Sequence, residues 1–157
     1  MIKPCTDLGD MFEVINDGAA AYRGVIPADR WHEPYMPKEE LAREISAGVA
    51  FLGFYERGRL LGVMGSQPVA DVVLIRHAYT RSAAQGRGIG SALLGELLSP
   101  LRGVPVLVGT WKAAAWAIRF YEGRGFALVG EREKERLLRR YWTVPERQIE
   151  ESVVLRN

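Results

Sequence analysis

Gln85, Gly86, Arg87, Gly88, Ile89 and Gly90, followed by Ser91, form a glycine-rich run that the hydrophobic pattern places between a strand and a helix. At such a junction the first N–H groups of the helix lack intrahelical acceptors and the helix dipole turns its positive end outward, so anions are attracted. Gly88 and Gly90 remove Cβ atoms that would block a phosphate, and Arg87 adds a positive charge beside it. A tight turn that packs a helix on a sheet has the same composition, so the run alone leaves both readings open. His77, in the strand expected before this turn, carries an imidazole whose ordinary pKa near 6.5 suits proton abstraction. Alternation would put it on one side of the strand with Val73, Ile75 and Tyr79.

Two better-known phosphate motifs do not fit. A P-loop needs lysine after its last glycine, and Ser91 follows Gly90. A dinucleotide fingerprint would want glycine or alanine at Ser91 and an acidic residue at the end of the next strand, where Gly109 and Thr110 stand. Metal chemistry is not indicated either, since His32 and His77 have no ligand partners at helpful spacing. Cys5 is the only cysteine, so neither an internal disulfide nor a thiolate cluster can form, and no histidine is spaced to activate it as a nucleophile.

Composition is that of an ordinary globular domain: 157 residues, 48% hydrophobic and 25% charged, with a net charge of +2. That length reads as one domain spanning residues 1–157. Basic residues gather at Arg132, Lys134, Arg136, Arg139 and Arg140, but Glu131, Glu133 and Glu135 interleave with them. Such a stretch reads as a solvated helix face and not as a nucleic-acid surface. The N-terminus lacks the basic and apolar pattern of a signal peptide, and no apolar run approaches the length needed to cross a bilayer, so a soluble cytoplasmic protein is expected. Association into a homodimer is left open.

The elements that must position the glycine turn follow from periodicity. Leu8, Met11, Phe12, Ile15 and Ala19 recur at helical spacing behind Thr6 or Asp7 as N-cap, predicting a first helix that ends near Gly24. Residues 25–37 form a loop rich in proline and aromatic side chains, and Pro37 opens a second helix ending at Gly48. Residues 49–55 and 60–67 make an antiparallel hairpin, and residues 71–80 a third strand. The glycine turn then leads into a helix with an inward stripe of Ile89, Leu93, Leu94, Leu97 and Leu98. A strand at 104–110, a helix at 113–123, a strand at 126–129, a helical stretch at 131–142 and a last strand at 149–155 complete the chain.

Placed in that order, residues 85–90 resemble the Q/R-x-x-G-x-G/A pyrophosphate motif of the GNAT acetyltransferases. Residues 117–126, which read Ala-Ile-Arg-Phe-Tyr-Glu-Gly-Arg-Gly-Phe, are similar to that family's A-I-x-F-Y-x-x-x-G-F segment. Order, separation and the intervening strand agree as well. The resemblance implies the GNAT fold, an α/β arrangement whose mixed, mostly antiparallel sheet has splayed central strands and flanking helices. It implies an N-acetyltransferase using acetyl-CoA and no metal. The backbone at Tyr79 and Thr80 would pair with the pantetheine arm, the N–H groups from Gln85 to Ser91 would hold the pyrophosphate, and a free N–H near Tyr79 would polarise the acetyl carbonyl.

Tyr121 matches the family's tyrosine acid, although by spacing alone it equally continues the apolar stripe of Trp116, Ala117 and Phe120. Where relatives have a glutamate base, this chain has Val73, so His77 is the candidate base, with Asp71, His32, Glu33 or a water chain as alternatives. Ala114 stands where the family often carries asparagine. Trp31, Tyr35, Trp111 and Trp142 are candidates for the wall of an acceptor pocket, and Asp29 and Glu33 for drawing in a cationic amine. The expected acceptor is a primary amine of a small metabolite or amino-acid-like compound. A peptide or protein amine, or a catalytically silent acyl-CoA-binding role, are the alternatives.

Overall fold

A strand that periodicity does not reveal opens the chain. In the computed structural model, which describes residues 1–157, β1 (Ile2–Cys5) is an edge strand that buries only Cys5. Pro4 is tolerable there because an edge strand leaves one side of its backbone unpaired. α1 (Leu8–Ala19) starts at Asp7, whose carboxylate accepts from the Asp10 N–H at 2.8 Å, and a 3₁₀ turn ends the helical path at Tyr22. α2 (Lys38–Ser46) begins directly after Pro37, with Glu39 and Glu40 in its positive first turn.

β2 (Ala50–Glu56), β3 (Arg59–Val69) and β4 (Val72–Thr80) form the expected antiparallel meander. α3 (Ile89–Leu98) then crosses back to β5 (Val106–Trp111), which pairs parallel to β4. After α4 (Ala115–Glu122), β6 (Ala127–Leu128), α5 (Glu131–Tyr141) and α6 (Glu146–Glu150), β7 (Ser152–Arg156) inserts between β5 and β6. The sheet order is β1-β2-β3-β4-β5-β7-β6. Residues 146–150 are helical because Pro145 presets a helix start, so the last strand begins at Ser152 and not at Ile149.

Helices cover both faces of the sheet. On one face Leu93, Leu94 and Leu97 of α3 pack over Val73, Ile75, Val106 and Val108. On the other, Met11, Val14 and Ile15 of α1 and Leu41 of α2 cover Phe51 and Val63. α5 and α6 extend that second layer over Leu74, Leu107 and Val154. The charged stretch is not wholly solvated as expected. Lys134 is only 2% exposed, with Nζ donating to the Ile149 carbonyl at 2.8 Å and pairing with Glu131 at 2.6 Å. Satisfying the ammonium in this way lets the flanking Leu137, Leu138 and Tyr141 reach the core.

Two irregularities shape the middle of the sheet. First, β4 and β5 pair only over Val73–Val106, Leu74–Leu107 and Ile75–Val108, and then separate, although β4 continues to Thr80 and β5 to Trp111. Second, β4 carries a bulge against β3: Gly65 is opposite Arg76, but Val63 is opposite Tyr79. The extra residue lies at His77, whose φ of 55° is left-handed. The bulge resets side-chain alternation. Val73 and Ile75 face α3, whereas Tyr79 packs with the α1 and α2 layer and His77 stacks on Phe51 of that layer. The expected sharing of one face by all four residues therefore holds only for Val73 and Ile75.

Candidate active site

Gly86 and Gly88 both have φ of +78°, and no protein atom lies within 4 Å of where a Cβ would project. Left-handed backbone favours glycine, and the open space lets a ligand approach the chain closely. Backbone N–H groups of residues 85–91 donate to no protein carbonyl, and the first bond into α3 is Ala92 N–H to Gly88 O at 3.0 Å. Free donors converging at a helix N-terminus are the chemistry of a pyrophosphate cradle.

Gly90 has another reason to be glycine. A Cβ there would come within 3.1 Å of the Phe120 ring, so Gly90 also seats α3 against α4. Arg87, expected beside the phosphate, pairs instead with Glu56 on β2. Arg124, which spacing did not single out, takes the position at the turn: Nε donates to Ser91 Oγ at 2.7 Å, Nη1 to Phe120 O at 2.8 Å, and its guanidinium lies 4.0 Å from the Phe120 ring centre. Its place inside the Phe-Tyr-x-x-x-Gly-Phe segment was the available signal.

The parted strands open the molecule between two cavities. A cavity of about 540 Å³ runs along the glycine turn past Thr80, Trp116 and Phe120. A second, of about 180 Å³, lies in the wedge between β4 and β5, where Gly109, Thr110 and Trp111 have left the pairing. Tyr22, Ala78, Tyr79, Ala117 and Tyr121 line both, so the cavities meet at these side chains. Arg81 N–H donates to Leu61 O at 2.8 Å, which by strand alternation turns the Tyr79 backbone toward Val63 on β3. The backbone groups of Ala78 and Thr80, on either side of Tyr79, consequently point away from β3 toward the opening.

Tyr121 is 4% exposed and sits edge-on to Phe120 and Phe126, with ring centres 5.0 and 5.6 Å away. Burial, with a smaller contribution from the neighbouring Tyr22, pushes its phenol well above the ordinary value, so it is protonated at neutral pH. Tyr22, Tyr35 and Tyr79 cluster beside it. Burial raises all three, Tyr35 to about 12.

Of the candidate bases, His77 alone lines the wedge cavity. Its Nε2 lies 2.8 Å from Glu44 Oε2, at an angle outside hydrogen-bonding geometry. Asp71 accepts from the Tyr141 hydroxyl at 2.6 Å, far along β4. His32 is held at the Pro34 carbonyl at 2.8 Å and Glu33 pairs with Arg23. Trp111, Tyr35 and Trp142 line the wedge cavity, and Trp31 stacks behind Tyr35. Asp29 is paired with Arg147 at 3.5 Å. Ala114 is fully buried against Ile26 and Trp111 at the start of α4 and supplies no polar group.

A crossover sheet parted at its centre, with a glycine cradle at one side of the gap and a buried phenol inside it, is the architecture of an acyltransferase that holds its donor between strands. A family model described as an acetyltransferase (GNAT) domain matches residues 16–140. The chain belongs to the GNAT acetyltransferases, and as a member it is an acetyltransferase with acetyl-CoA as cosubstrate.

Solved structures share the fold. The PaiA N-acetyltransferase of Thermoplasma acidophilum, determined with coenzyme A, is 18% identical with a TM-score of 0.71 over 100% of this chain and 98% of that one. The ribosomal-protein-S18-alanine N-acetyltransferase of Escherichia coli is 18% identical with a TM-score of 0.70 over 99% and 91%. A GNAT-family acetyltransferase of Staphylococcus aureus is 14% identical with a TM-score of 0.73 over 100% and 97%. No curated protein matches the sequence. No helix is long and apolar enough to cross a membrane.

Proposed function

We propose that the protein transfers acetyl directly from acetyl-CoA to the primary amine of a small metabolite or amino-acid-like acceptor. The observation carrying this reading is that the cavity along the glycine turn and the wedge cavity meet at Tyr121. The donor lies along the first, with its pyrophosphate on the N–H groups of Gln85, Gly86, Arg87, Gly88, Ile89, Gly90 and Ser91. Its pantetheine lies beside the backbone of Tyr79 and Thr80. The acceptor enters the second, and its nitrogen meets the thioester where the strands part.

The amine nitrogen attacks the acetyl carbon, the C–N bond forms and the C–S bond breaks. The ammonium proton passes to His77, directly or through water, and the Tyr121 hydroxyl gives its proton to the departing thiolate. Backbone donors at Ala78 or Thr80 polarise the acetyl oxygen. Burial keeps the phenol protonated, the form from which an acid must start. Incubation of an amine panel with acetyl-CoA, reading free thiol, tests the proposal. Thiol release dependent on one amine class is expected, and acetyl-CoA binding without release for any amine would mark a binding protein instead.

Acetylation of a peptide N-terminus is the second reading, favoured by the likeness to the Escherichia coli protein named for ribosomal-protein alanine acetylation. Peptides beginning with alanine belong in the same panel.

A further inference from the structure

Resting on the proposed transfer reaction, the wedge cavity narrows the acceptor beyond a small amine. Its volume of about 180 Å³ is below the range of typical drug-sized pockets, about 300–1,000 Å³. A compact molecule fills it. Its walls are flat rings held in place. Trp111 Nε1 donates to the Tyr35 hydroxyl at 3.1 Å, and Tyr35 itself stacks with Trp31 and His32, with ring centres at 5.7 and 6.3 Å. Beside them, Gly109 lets the Trp142 ring lie against the strand, since a Cβ there would be 3.3 Å from the indole. Rings fixed in this way present faces to a ligand and lose little freedom on binding.

Charge selects as well. Arg76 and His77 are the only residues of charged type along this cavity, and no carboxylate lines it. The Arg76 guanidinium is occupied by Glu44 at 2.6 Å and Gln67 at 3.1 Å, so it is not free for a substrate carboxylate. Asp29 and Glu33, which could have drawn in a polycation, are engaged by Arg147 and Arg23 and lie outside the cavity. A second cationic group would find aromatic faces but no counter-ion, and an α-carboxylate would find an arginine already paired.

We infer that the acceptor is a compact primary amine bearing one aromatic ring and no second charge, an arylalkylamine. The ring lies against Trp111 and Trp142, and the amine points toward Tyr121 and the donor.

The test uses phenethylamine, spermidine, glutamate and an alanine-initiated tetrapeptide as acceptors at saturating acetyl-CoA. Phenethylamine is expected to exceed each of the others in kcat/KM at least tenfold. Trp142→Ala should raise the KM for phenethylamine about tenfold, a difference of about 1.4 kcal/mol. Acetyl-CoA affinity, read by calorimetry, should stay at the parent value. Faster turnover of spermidine, glutamate or the peptide overturns the inference and leaves the transfer reaction standing. If no acceptor is turned over, calorimetric titration of phenethylamine into the CoA-loaded protein still decides. Binding that weakens in Trp142→Ala supports the aromatic site, and absence of binding overturns it.

Discussion

His77 Nε2 and Glu44 Oε2 lie 2.8 Å apart, joining the bulge of β4 to the last turns of α2. Burial alone would raise the Glu44 carboxyl, but the close approach of His77 and the charges of Arg76 and Arg43 together outweigh it and hold the group below the ordinary carboxylate range. A carboxyl lowered in the folded state stabilises the fold above its unfolded value, near pH 4.3, and that contribution disappears as pH falls through the folded value. Thermal melts across pH 6 to 3 should therefore show a loss of stability in the acid range that is smaller in Glu44→Gln, and equal acid slopes would show that the pairing adds nothing.

Much of this arrangement was legible from residue order, and the parts that were not have physical causes. Helical spacing located α1, α3 and α4, and alternation with β-branched residues located β2 through β5, because each buries one regular face. β1 escaped because four edge residues bury only one side chain. Alternation misplaced His77 and Tyr79 because a bulge leaves no sequence mark when the residue taking the left-handed conformation is not glycine. The glycine run suggested a phosphate cradle, but not that Gly90 packs against Phe120 or that Arg124, and not Arg87, reaches Ser91. Those assignments depend on contacts between α3, α4 and β2 that lie thirty or more residues apart in the chain.

The two glycines flanking Ile89 should respond differently to substitution. Gly88→Val places a branched side chain at a left-handed position, at a cost of about 1–2 kcal/mol to the fold, and obstructs the open face of the cradle. Acetyl-CoA affinity should fall more than about tenfold, or 1.4 kcal/mol. Gly90→Val drives a side chain into Phe120, so its first effect is on stability, about 1–3 kcal/mol as for overpacking elsewhere. Calorimetry with acetyl-CoA beside thermal melts separates the two, and a Gly88→Val protein with unchanged affinity would remove the turn from the donor site.

Arginine substitutions discriminate in the same manner. Arg124→Ala removes a guanidinium that reaches Ser91 at the start of α3, and a partly solvated charge contact of this kind contributes on the order of 1 kcal/mol. Acetyl-CoA affinity should drop severalfold and the drop should shrink in high salt. Arg87→Ala breaks only the exposed pair with Glu56 and should leave affinity near the parent value. A larger loss from Arg87→Ala than from Arg124→Ala would reverse the assignment.

Tyr121→Phe distinguishes a phenol that donates a proton from a ring that fills space. The ring is packed by Phe120 and Phe126 and its hydroxyl makes no hydrogen bond within the protein, so deleting the oxygen leaves the packing intact and thermal stability nearly unchanged. Acetyl-CoA affinity should also hold, because the pyrophosphate cradle proposed at residues 85–91 lies elsewhere. If Tyr121 is the acid, turnover at saturating acetyl-CoA falls by about a hundredfold, the scale of general acid catalysis. Burial keeps the phenol protonated beyond the usual assay range, so the parent should show no loss of turnover from this group between pH 7 and 9. Measurement below pH 8, with a presteady-state check that chemistry limits the rate, prevents slow product release from masking the loss. A Phe variant retaining more than half of the parent turnover under those conditions would mean that the thiolate takes its proton from water and that Tyr121 only shapes the junction between the cavities.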